Sequence, residues 1–237
     1  MKIWSIGEPR CSTFACFSRL GSWKPYDAER GLCPKCTSPP IPERIPPLVI
    51  QWELGSDELG DFTWALGAPE VVITARATDL LLSEFQGFKP SRVVMQQDPE
   101  ITQGRRRSKQ SERRVWLPYN GPPLRELWVT RYLNADRSRS TVRETLNCAC
   151  CGRIDYQIDG IERRSSRFDQ QKKQLVEIHA PRVSGQGIYV HEEDLRGADF
   201  FEVVEFPDRV LCTDQAKRFI EEHRFTNVAF LEVGDVI

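Results

Sequence analysis

The chain has 237 residues, of which 40% are hydrophobic, so it can bury a full core as one domain or as two closely packed lobes. Its 33 basic and 34 acidic side chains nearly cancel, and this balance gives no indication of a polyanionic partner. No run approaches the roughly 18 apolar residues of a membrane span, and the first residues lack the features of a signal peptide. We therefore expect a cytoplasmic protein in which metal binding is a better use of cysteine than disulfide formation.

The first motif that carries chemistry is Cys33-Pro34-Lys35-Cys36, which follows one or two strands predicted within residues 1–32. A Cys-x-x-Cys turn presents two thiolates to a single cation. Cys11 and Cys16 precede it, but their spacing is poor for a tight turn. We interpret these two as small buried thiols, and as reserve ligands if the site is rearranged.

The region after this turn is rich in proline between residues 39 and 47, which excludes a helix and disfavours a central strand. We interpret it as a connector that leads away from the cysteines. Short strands are predicted at residues 48–52 and, after a turn at Gly60-Asp61, at Phe62-Thr63-Trp64. Trp64 is interpreted as a core anchor.

Residues 71–95 form the clearest local pattern. Val71-Val72-Ile73 is typical of a buried strand, and Thr78 can cap a helix that runs to about Gln86. Residues 92–95 then form a returning strand.

The same plan recurs near the C-terminus. A strand at residues 209–212 precedes a helix that is capped by Thr213 and runs to about His223, and a second strand follows at residues 227–231. We interpret the two copies as a weak internal repeat of strand, helix and strand. If the two strands of a copy are adjacent, they should be parallel.

A basic run at residues 104–114 lies between the two copies and carries six basic residues and one acidic residue. One hypothesis is a loop that contacts phosphates through Arg105, Arg106 and Arg107. A solvated hairpin tip is the preferred interpretation, because no aromatic residues alternate with the charges.

The second cysteine motif is Cys148-Ala149-Cys150-Cys151-Gly152. Its glycine permits the backbone bend that a metal-binding turn needs. Cys148 and Cys151, together with Cys33 and Cys36, supply the four thiolates of a tetrahedral Zn²⁺ site. Disulfides or free thiols are the alternatives, and Cys150 is interpreted as a packing residue rather than a reactive thiol.

Catalytic patterns are weak in this sequence. Its three histidines, His179, His191 and His223, lack partners at metal or triad spacing. His191, beside Glu192-Glu193-Asp194, is the best candidate base. We predict that the protein is not an enzyme.

These elements together predict an α+β (mixed α/β) fold, in which two strand–helix–strand lobes are joined through a zinc-ribbon-like four-cysteine site. Residues 1–237 are predicted to form a single domain, with possible lobes at residues 48–132 and 175–237. The centre between them would consist of residues 24–40 and 145–160.

Several stretches of the chain match the pattern of one known family: Cys33-Pro34-Lys35-Cys36, Gly60-Asp61-Phe62-Thr63-Trp64, Cys148 to Gly152, and an ending that includes Gly197-Ala198-Asp199-Phe200-Phe201, Phe206-Pro207, Val210 and Val233. Through them the chain resembles the double-CXXCG motif family of bacterial immunity proteins. Thr37 stands where the family usually has glycine after the first pair.

This resemblance implies a non-enzymatic immunity protein with a structural zinc, encoded beside a polymorphic toxin that it neutralises by binding. The expected partner is therefore a cognate protein toxin. The candidate contacts are Glu192, Glu193 and Asp194, with Arg105, Arg106 and Arg107 as a second set. An acidic surface that also includes Asp199 and Glu202 would suit a nuclease toxin, although an ordinary solvated face is the simpler interpretation.

The alternative function is a zinc-ribbon nucleic-acid-binding protein that uses residues 105–114 and 163–173 to contact phosphates. A steep loss of affinity with added salt would support this alternative. We consider a nucleic-acid partner less favoured than a protein partner. A redox or hydrolytic enzyme is a third possibility and requires a reactive thiol.

Overall fold

The computed structural model describes residues 1–9, 12–23, 31–38, 44–52, 58–65, 69–96, 121–169 and 173–237. These residues form sixteen strands and three helices. Within the same ranges, none of the helices has the length and apolar character needed to cross a membrane.

The strands are, in chain order, Lys2–Gly7 (β1), Phe17–Trp23 (β2), Arg44–Trp52 (β3), Phe62–Trp64 (β4), Val71–Ile73 (β5), Phe88–Met95 (β6), Arg125–Val129 (β7), Tyr132–Leu133 (β8), Val142–Asn147 (β9), Ile154–Ile158 (β10), Arg163–Asp169 (β11), Gln174–Ala180 (β12), Ile188–Val190 (β13), Phe200–Val203 (β14), Phe206–Thr213 (β15) and Ala229–Val236 (β16). The helices are Ala75–Glu84 (α1), Glu192–Leu195 (α2) and Asp214–Glu222 (α3).

The first sheet, sheet I, has six strands in the order β13-β16-β1-β15-β14-β8. The first and last pairs, β13 with β16 and β14 with β8, are parallel, and the pairs between them are antiparallel. One face of sheet I is covered by a core cluster that includes Ile3, Ile188, Leu195, Phe201 and Leu211.

The second sheet, sheet II, also has six strands, in the order β2-β3-β6-β7-β5-β4. Its two edges approach each other, and a parallel bridge joins Phe17 of β2 to Ala65, directly after β4. The sheet is therefore nearly closed on itself. Phe17, Leu48 and Ile50 are fully buried in the core cluster associated with this sheet.

Two hairpins form small sheets of their own. Strands β9 and β10 form one, and β11 and β12 form the other; each pair is a two-stranded antiparallel sheet. The first hairpin carries the second cysteine motif in its turn.

The predicted mixed α/β fold was wrong, because the protein is mostly β. The two strand–helix–strand segments exist, but each is embedded in a larger sheet. They also contact each other directly, since Phe85 at the end of α1 packs edge to face on Phe219 of α3, with ring centroids 5.0 Å apart. The four-cysteine site is thus not what joins them.

The internal repeat proved longer than predicted. One copy is β4-β5-α1-β6 and the other is β14-β15-α3-β16. In each copy the helix connects two parallel strands that are not adjacent, because an antiparallel strand lies between them: β7 in the first copy and β1 in the second.

Each copy holds its helix N-terminus in the same way. Thr74 and Thr213 are the N-caps, and their hydroxyls accept from the backbone N–H of Ala77 and Ala216. The Thr74 hydroxyl donates to Asp61 and the Thr213 hydroxyl donates to Asp199, so an aspartate before the first strand of each copy orients the cap.

The predicted cap at Thr213 is confirmed, whereas the predicted cap at Thr78 was wrong. Thr78 lies one turn inside α1, where its hydroxyl donates to the Thr74 carbonyl at 2.8 Å. Helix α1 therefore begins at Ala75 and ends at Glu84.

The two copies exchange reciprocal backbone contacts. The N–H of Phe62 donates to the carbonyl of Thr226, in the loop after α3, and the N–H of Phe200 donates to the carbonyl of Gln86, in the loop after α1. Gly87 follows Gln86 with a φ of +98°, and a Cβ atom there would collide with the Phe200 carbonyl. The copies thus dock as a pseudo-symmetric pair with one shared core cluster.

The proline-rich connector prediction holds only in part. Residues 39–43 lie outside the described residues, but Pro46 and Pro47 belong to β3. These prolines are tolerated because β6 pairs with β3 only from Leu48 onward, opposite Val93.

Candidate metal centre

The two cysteine motifs form turns with the same hydrogen bonds. In the first, the N–H of Thr37 donates to the Cys33 carbonyl at 2.8 Å, and the N–H of Cys33 donates to the carbonyl of Ser38 at 2.9 Å. In the second, the N–H of Gly152 donates to the Cys148 carbonyl at 2.8 Å, as does the N–H of Cys148 to the Arg153 carbonyl at 2.9 Å. Each turn therefore presents its two thiols in the same local frame.

The residue after each Cys-x-x-Cys adopts a left-handed conformation. The φ of Gly152 is +73° and that of Thr37 is +55°. Glycine adopts this conformation readily, whereas a β-branched residue is strained in it. Thr37 stands where glycine is expected and keeps the same turn geometry, but its backbone is strained.

The four sulfur atoms of Cys33, Cys36, Cys148 and Cys151 all lie within 4.8 Å of one another. Two of the separations between the turns are Cys33 Sγ to Cys148 Sγ at 3.7 Å, and Cys36 Sγ to Cys151 Sγ at 3.6 Å. A tetrahedral site with metal–sulfur bonds of about 2.3 Å has sulfur–sulfur edges of about 3.8 Å. The four thiols can therefore hold a metal ion.

These separations exclude disulfides at the site, because a disulfide S–S bond is about 2.05 Å long. The other described cysteines are not in disulfides either. Cys33 and Cys148 are buried, while Cys36 is half-buried and Cys151 is exposed. The cluster thus has a buried side and a side open to solvent.

The local dipoles favour thiolate at the first turn. The backbone N–H groups of Cys36 and Lys35 lower the pKa of the Cys33 thiol to about 6. The Ser38 hydroxyl and backbone N–H likewise lower the pKa of Cys36. Two sulfurs poised to be anionic are a suitable start for binding a cation.

The Cys150 and Cys151 thiols of the second turn have raised pKa values, in part because of the neighbouring sulfurs of the first turn. The backbone N–H of Arg153 lowers the pKa of Cys151, but burial and the neighbouring thiols outweigh it and raise this pKa to about 12. The Cys33 sulfur raises the pKa of Cys150. Four thiols this close cannot all ionise without a compensating cation.

The remaining cysteines have different environments. Cys150 is exposed and Cys16 is half-buried. Cys11 lies outside the described residues. Cys212, which the sequence reasoning did not single out, is fully buried on β15, and this burial raises the pKa of its thiol.

The hairpin that carries Cys148 and Cys151 is attached firmly to sheet I. The N–H of Thr141 donates to the Gly187 carbonyl at 2.9 Å, and the Thr141 hydroxyl accepts from the N–H of Gly187 at 2.8 Å. Ile158 at the other end of the hairpin is buried in the sheet I core.

The predicted acidic contacts form the exposed turn of α2. Glu192, Glu193 and Asp194 are its first three residues, and all are exposed. The carbonyl of Asp194 accepts from the Arg131 guanidinium. His191 Nε2 lies 3.4 Å from Asp136 Oδ2.

Asp199, the proposed extension of this acidic surface, is half-buried. Its carboxylate accepts from the Thr213 hydroxyl at 2.7 Å and supports the cap of α3. Burial raises the pKa of the Asp199 carboxyl. Asp199 is therefore a structural residue.

The predicted basic contacts divide into two groups. Arg105, Arg106 and Arg107 lie outside the described residues. Arg163 donates to the Ile158 carbonyl at 2.7 Å, and Arg164 pairs with Glu162 at 3.5 Å.

The other two histidines have structural partners. His179 Nε2 lies 2.8 Å from Glu162 Oε1, at the base of the β11–β12 hairpin. His223 Nδ1 lies 2.9 Å from the Phe219 carbonyl, and its ring stacks on Phe219 with centroids 3.9 Å apart.

A cleft of about 650 Å³ was missed by the sequence reasoning. Its lining includes Trp64, Tyr156, Glu205 and residues 206–210. The one local signal was Pro207, because a proline inside a strand pattern often marks a bulge.

A comparison of the sequence with protein-family models found no match, and a search of curated proteins found no similar sequence.

Proposed function

We propose that this protein is a non-enzymatic immunity protein that neutralises a cognate bacterial toxin by binding it, and that Cys33, Cys36, Cys148 and Cys151 hold a structural Zn²⁺. The observation that carries the proposal is the cluster of four thiols on two matching turns. The resemblance to the double-CXXCG motif family supplies the toxin as the partner.

The donor set favours zinc among the common metals. Four thiolates in a tetrahedral arrangement suit Zn²⁺ or an iron–sulfur centre, whereas oxygen ligands suit Mg²⁺ and Ca²⁺. All four positions are protein ligands, which is the pattern of a structural site rather than a catalytic one with an open position.

His179 and His223 serve structural contacts, which agrees with a protein that acts by binding.

Metal analysis tests the zinc proposal. We expect about one zinc per chain in protein purified without added metal, and its loss in Cys36→Ser and in Cys151→Ser. Cys150→Ser is the matched control, since it is the same change beside a proposed ligand. Equal metal loss in all three variants would contradict the assigned ligand set. Iron in place of zinc would contradict the assignment of the metal as zinc.

The toxin proposal is tested in cells. The protein encoded beside this one is expressed in cells with and without this protein, and survival is measured. We expect the neighbouring protein to be toxic alone and harmless with its partner. Binding to DNA or RNA with a steep salt dependence, in place of protection, would favour the zinc-ribbon nucleic-acid-binding alternative.

A further inference from the structure

The cleft identified above lies where two neighbouring strands of sheet I separate. β1 and β15 pair at Ile3, Trp4 and Ser5, opposite Thr213, Cys212 and Leu211. Beyond Ser5 their pairing stops, although β1 runs on to Gly7 and β15 begins at Phe206. Two lengths of strand in the same sheet therefore face each other across the cleft without pairing.

A bulge in β15 produces this separation. Between consecutive pairs with β14, from Val203↔Phe206 to Phe201↔Leu211, β14 advances by two residues and β15 by five, which leaves three extra residues in β15. Asp208 within this bulge has a φ of +62°. Bulges re-aim side chains, and they are common beside binding sites.

One wall of the cleft is a buried polar network. Glu205 is only 3% exposed, and its carboxylate accepts from the N–H of Ala135 and from Arg137 Nε, both at 2.9 Å. The Arg137 guanidinium also lies over the ring of Tyr156, 4.7 Å from its centroid. Tyr156 belongs to the hairpin that carries Cys148 and Cys151, so the cysteine hairpin supplies part of this wall.

The floor of the cleft is apolar, whereas its rim carries charged side chains. Trp64 and Ile6 are buried apolar residues that line the cleft. Among the described residues of the lining, Glu8 and Asp208 add two carboxylates and Arg209 adds one guanidinium. Partial desolvation raises the pKa of the Glu8 carboxyl, although Glu8 is an exposed residue and a hydrogen bond with Ser12 acts to lower this pKa. A basic side chain placed between Glu8 and Asp208 would be attracted by both carboxylates.

We propose that this cleft receives an extended segment of a partner protein, which adds as a strand between β1 and β15 and places a basic side chain beside Glu8 and Asp208. The inference rests on the proposed function, since it locates the surface where the partner binds. Unpaired strand edges offer N–H and C=O groups at the spacing that an incoming strand requires. Pro207 is the exception on the β15 edge, because it has no N–H. The cleft volume of about 650 Å³ lies within the range of sites that enclose a ligand.

Gly7 provides a variant that fills the cleft. It lines the cleft, its φ is not in the left-handed region, and an added Cβ atom would meet nothing within 4 Å. Gly7→Phe should therefore fold normally while it obstructs the space that the incoming segment needs. Leu82→Phe is the matched control, because Leu82 is an exposed residue on α1 and receives the same aromatic side chain.

The probe is a displayed library of random dodecapeptides, selected on the full-length protein and counter-selected on Gly7→Phe. We expect enriched sequences that combine strand-forming residues with a Lys or Arg. In fluorescence anisotropy these peptides should bind Gly7→Phe and Tyr156→Ala at least tenfold more weakly than the native protein, and Leu82→Phe within twofold of it. Thermal unfolding checks that every variant is folded.

Two results of the peptide selection would overturn the inference: no sequence enriched on the native protein over Gly7→Phe, or enriched peptides that bind Gly7→Phe and the native protein equally well. The cell assay separates the two proposals. If Gly7→Phe protects cells from the neighbouring toxin as well as the native protein does, the cleft is not the binding surface, while the proposed function stands. If the native protein gives no protection, the proposed function itself fails.

Discussion

Thr37 and Gly152 occupy equivalent positions in two turns that serve one cluster of thiols. Both residues have positive φ values, +55° and +73°. The sequence predicted the bend at Gly152 from its glycine, and it identified Thr37 as a departure from the expected residue. The structure shows that the turn geometry is kept, because the flanking hydrogen bonds of the two turns are the same.

Exchanging these residue types should have opposite effects on stability. Gly152→Thr should lower the free energy of unfolding by about 1–2 kcal/mol, because a β-branched residue is strained at positive φ. No clash contributes, since nothing lies within 4 Å of a Cβ atom there. Thr37→Gly should be neutral or stabilising by up to about 1 kcal/mol, as relief of strain is partly offset by the entropy of glycine.

Urea unfolding in the presence of excess Zn²⁺ measures both effects. The Thr37 hydroxyl donates to the Cys36 carbonyl at 2.7 Å, so Thr37→Ser is a useful control that retains this bond. Destabilisation of similar size by Gly152→Thr and Thr37→Gly would show that the two turns are not equivalent.

At the scale of elements, the two repeat copies use aspartates that differ in electrostatic environment. Asp61 accepts from the Thr226 N–H at 3.0 Å and pairs with Arg76 at 2.8 Å. Asp199 has its hydrogen bond with Thr213 but sits where burial raises the pKa of its carboxyl. The negative charge of the aspartate at this position of the repeat is therefore well compensated in the first copy and poorly compensated in the second.

Asp199→Asn should stabilise the protein at neutral pH. The pKa of Asp199 is higher in the folded chain than in the unfolded chain, where it is about 3.9, so the folded state loses stability as the pH rises through this window. The asparagine carbonyl still accepts from Thr213 and carries no charge. The gain in unfolding free energy should thus be present at pH 7 and absent at pH 3.

Asp61→Asn is the matched comparison and should destabilise by about 1–3 kcal/mol at pH 7, because it weakens charge-assisted hydrogen bonds. Thermal unfolding across this pH range distinguishes the two variants. A loss of stability in Asp199→Asn at pH 7 would contradict the electrostatic argument.

The positions of the helices were partly predictable. The cap at Thr213 is correct, but two threonines four residues apart, Thr74 and Thr78, both satisfy the capping rule in the first copy. Thr74 is the cap in the structure, and its hydroxyl donates to Asp61, which lies thirteen residues away in the sequence. The pairing of β4 with β5 sets Phe62 opposite Ile73 and so brings Asp61 beside Thr74.

At the scale of the whole molecule, the four-cysteine cluster stands beside the main cores rather than inside them. The shared core cluster draws on both sheets and on helices α1 and α3, with Phe62, Leu81, Phe200 and Ile220 fully buried. Among the described residues, none of the core clusters contains a cysteine of the candidate metal centre. The cluster joins residues 31–38 to the β9–β10 hairpin.

Metal removal should therefore loosen one region and leave the rest folded. With a strong chelator at pH 7, we expect amide hydrogen exchange to accelerate in residues 31–38 and at the turn between β9 and β10, because metal-binding energy is also folding energy. β1 and β16 should keep their protection. Unchanged exchange at both turns after confirmed metal loss would show that the metal does not stabilise them, and loss of protection throughout would show that the cores depend on it.

The sequence by itself determined the local chemistry of this protein. Cys-x-x-Cys turns and threonine caps depend on residues within a few positions of each other, so Cys33, Cys36, Cys148 and Cys151 could be selected as one set of four thiols. The tertiary structure decided everything that depends on long-range pairing. An antiparallel strand lies between the parallel strands of each repeat, and a bulge opens the cleft between β1 and β15. Hydrophobic alternation identifies a strand but not its neighbours, because the backbone hydrogen bonds that order a sheet are the same for every residue type except proline.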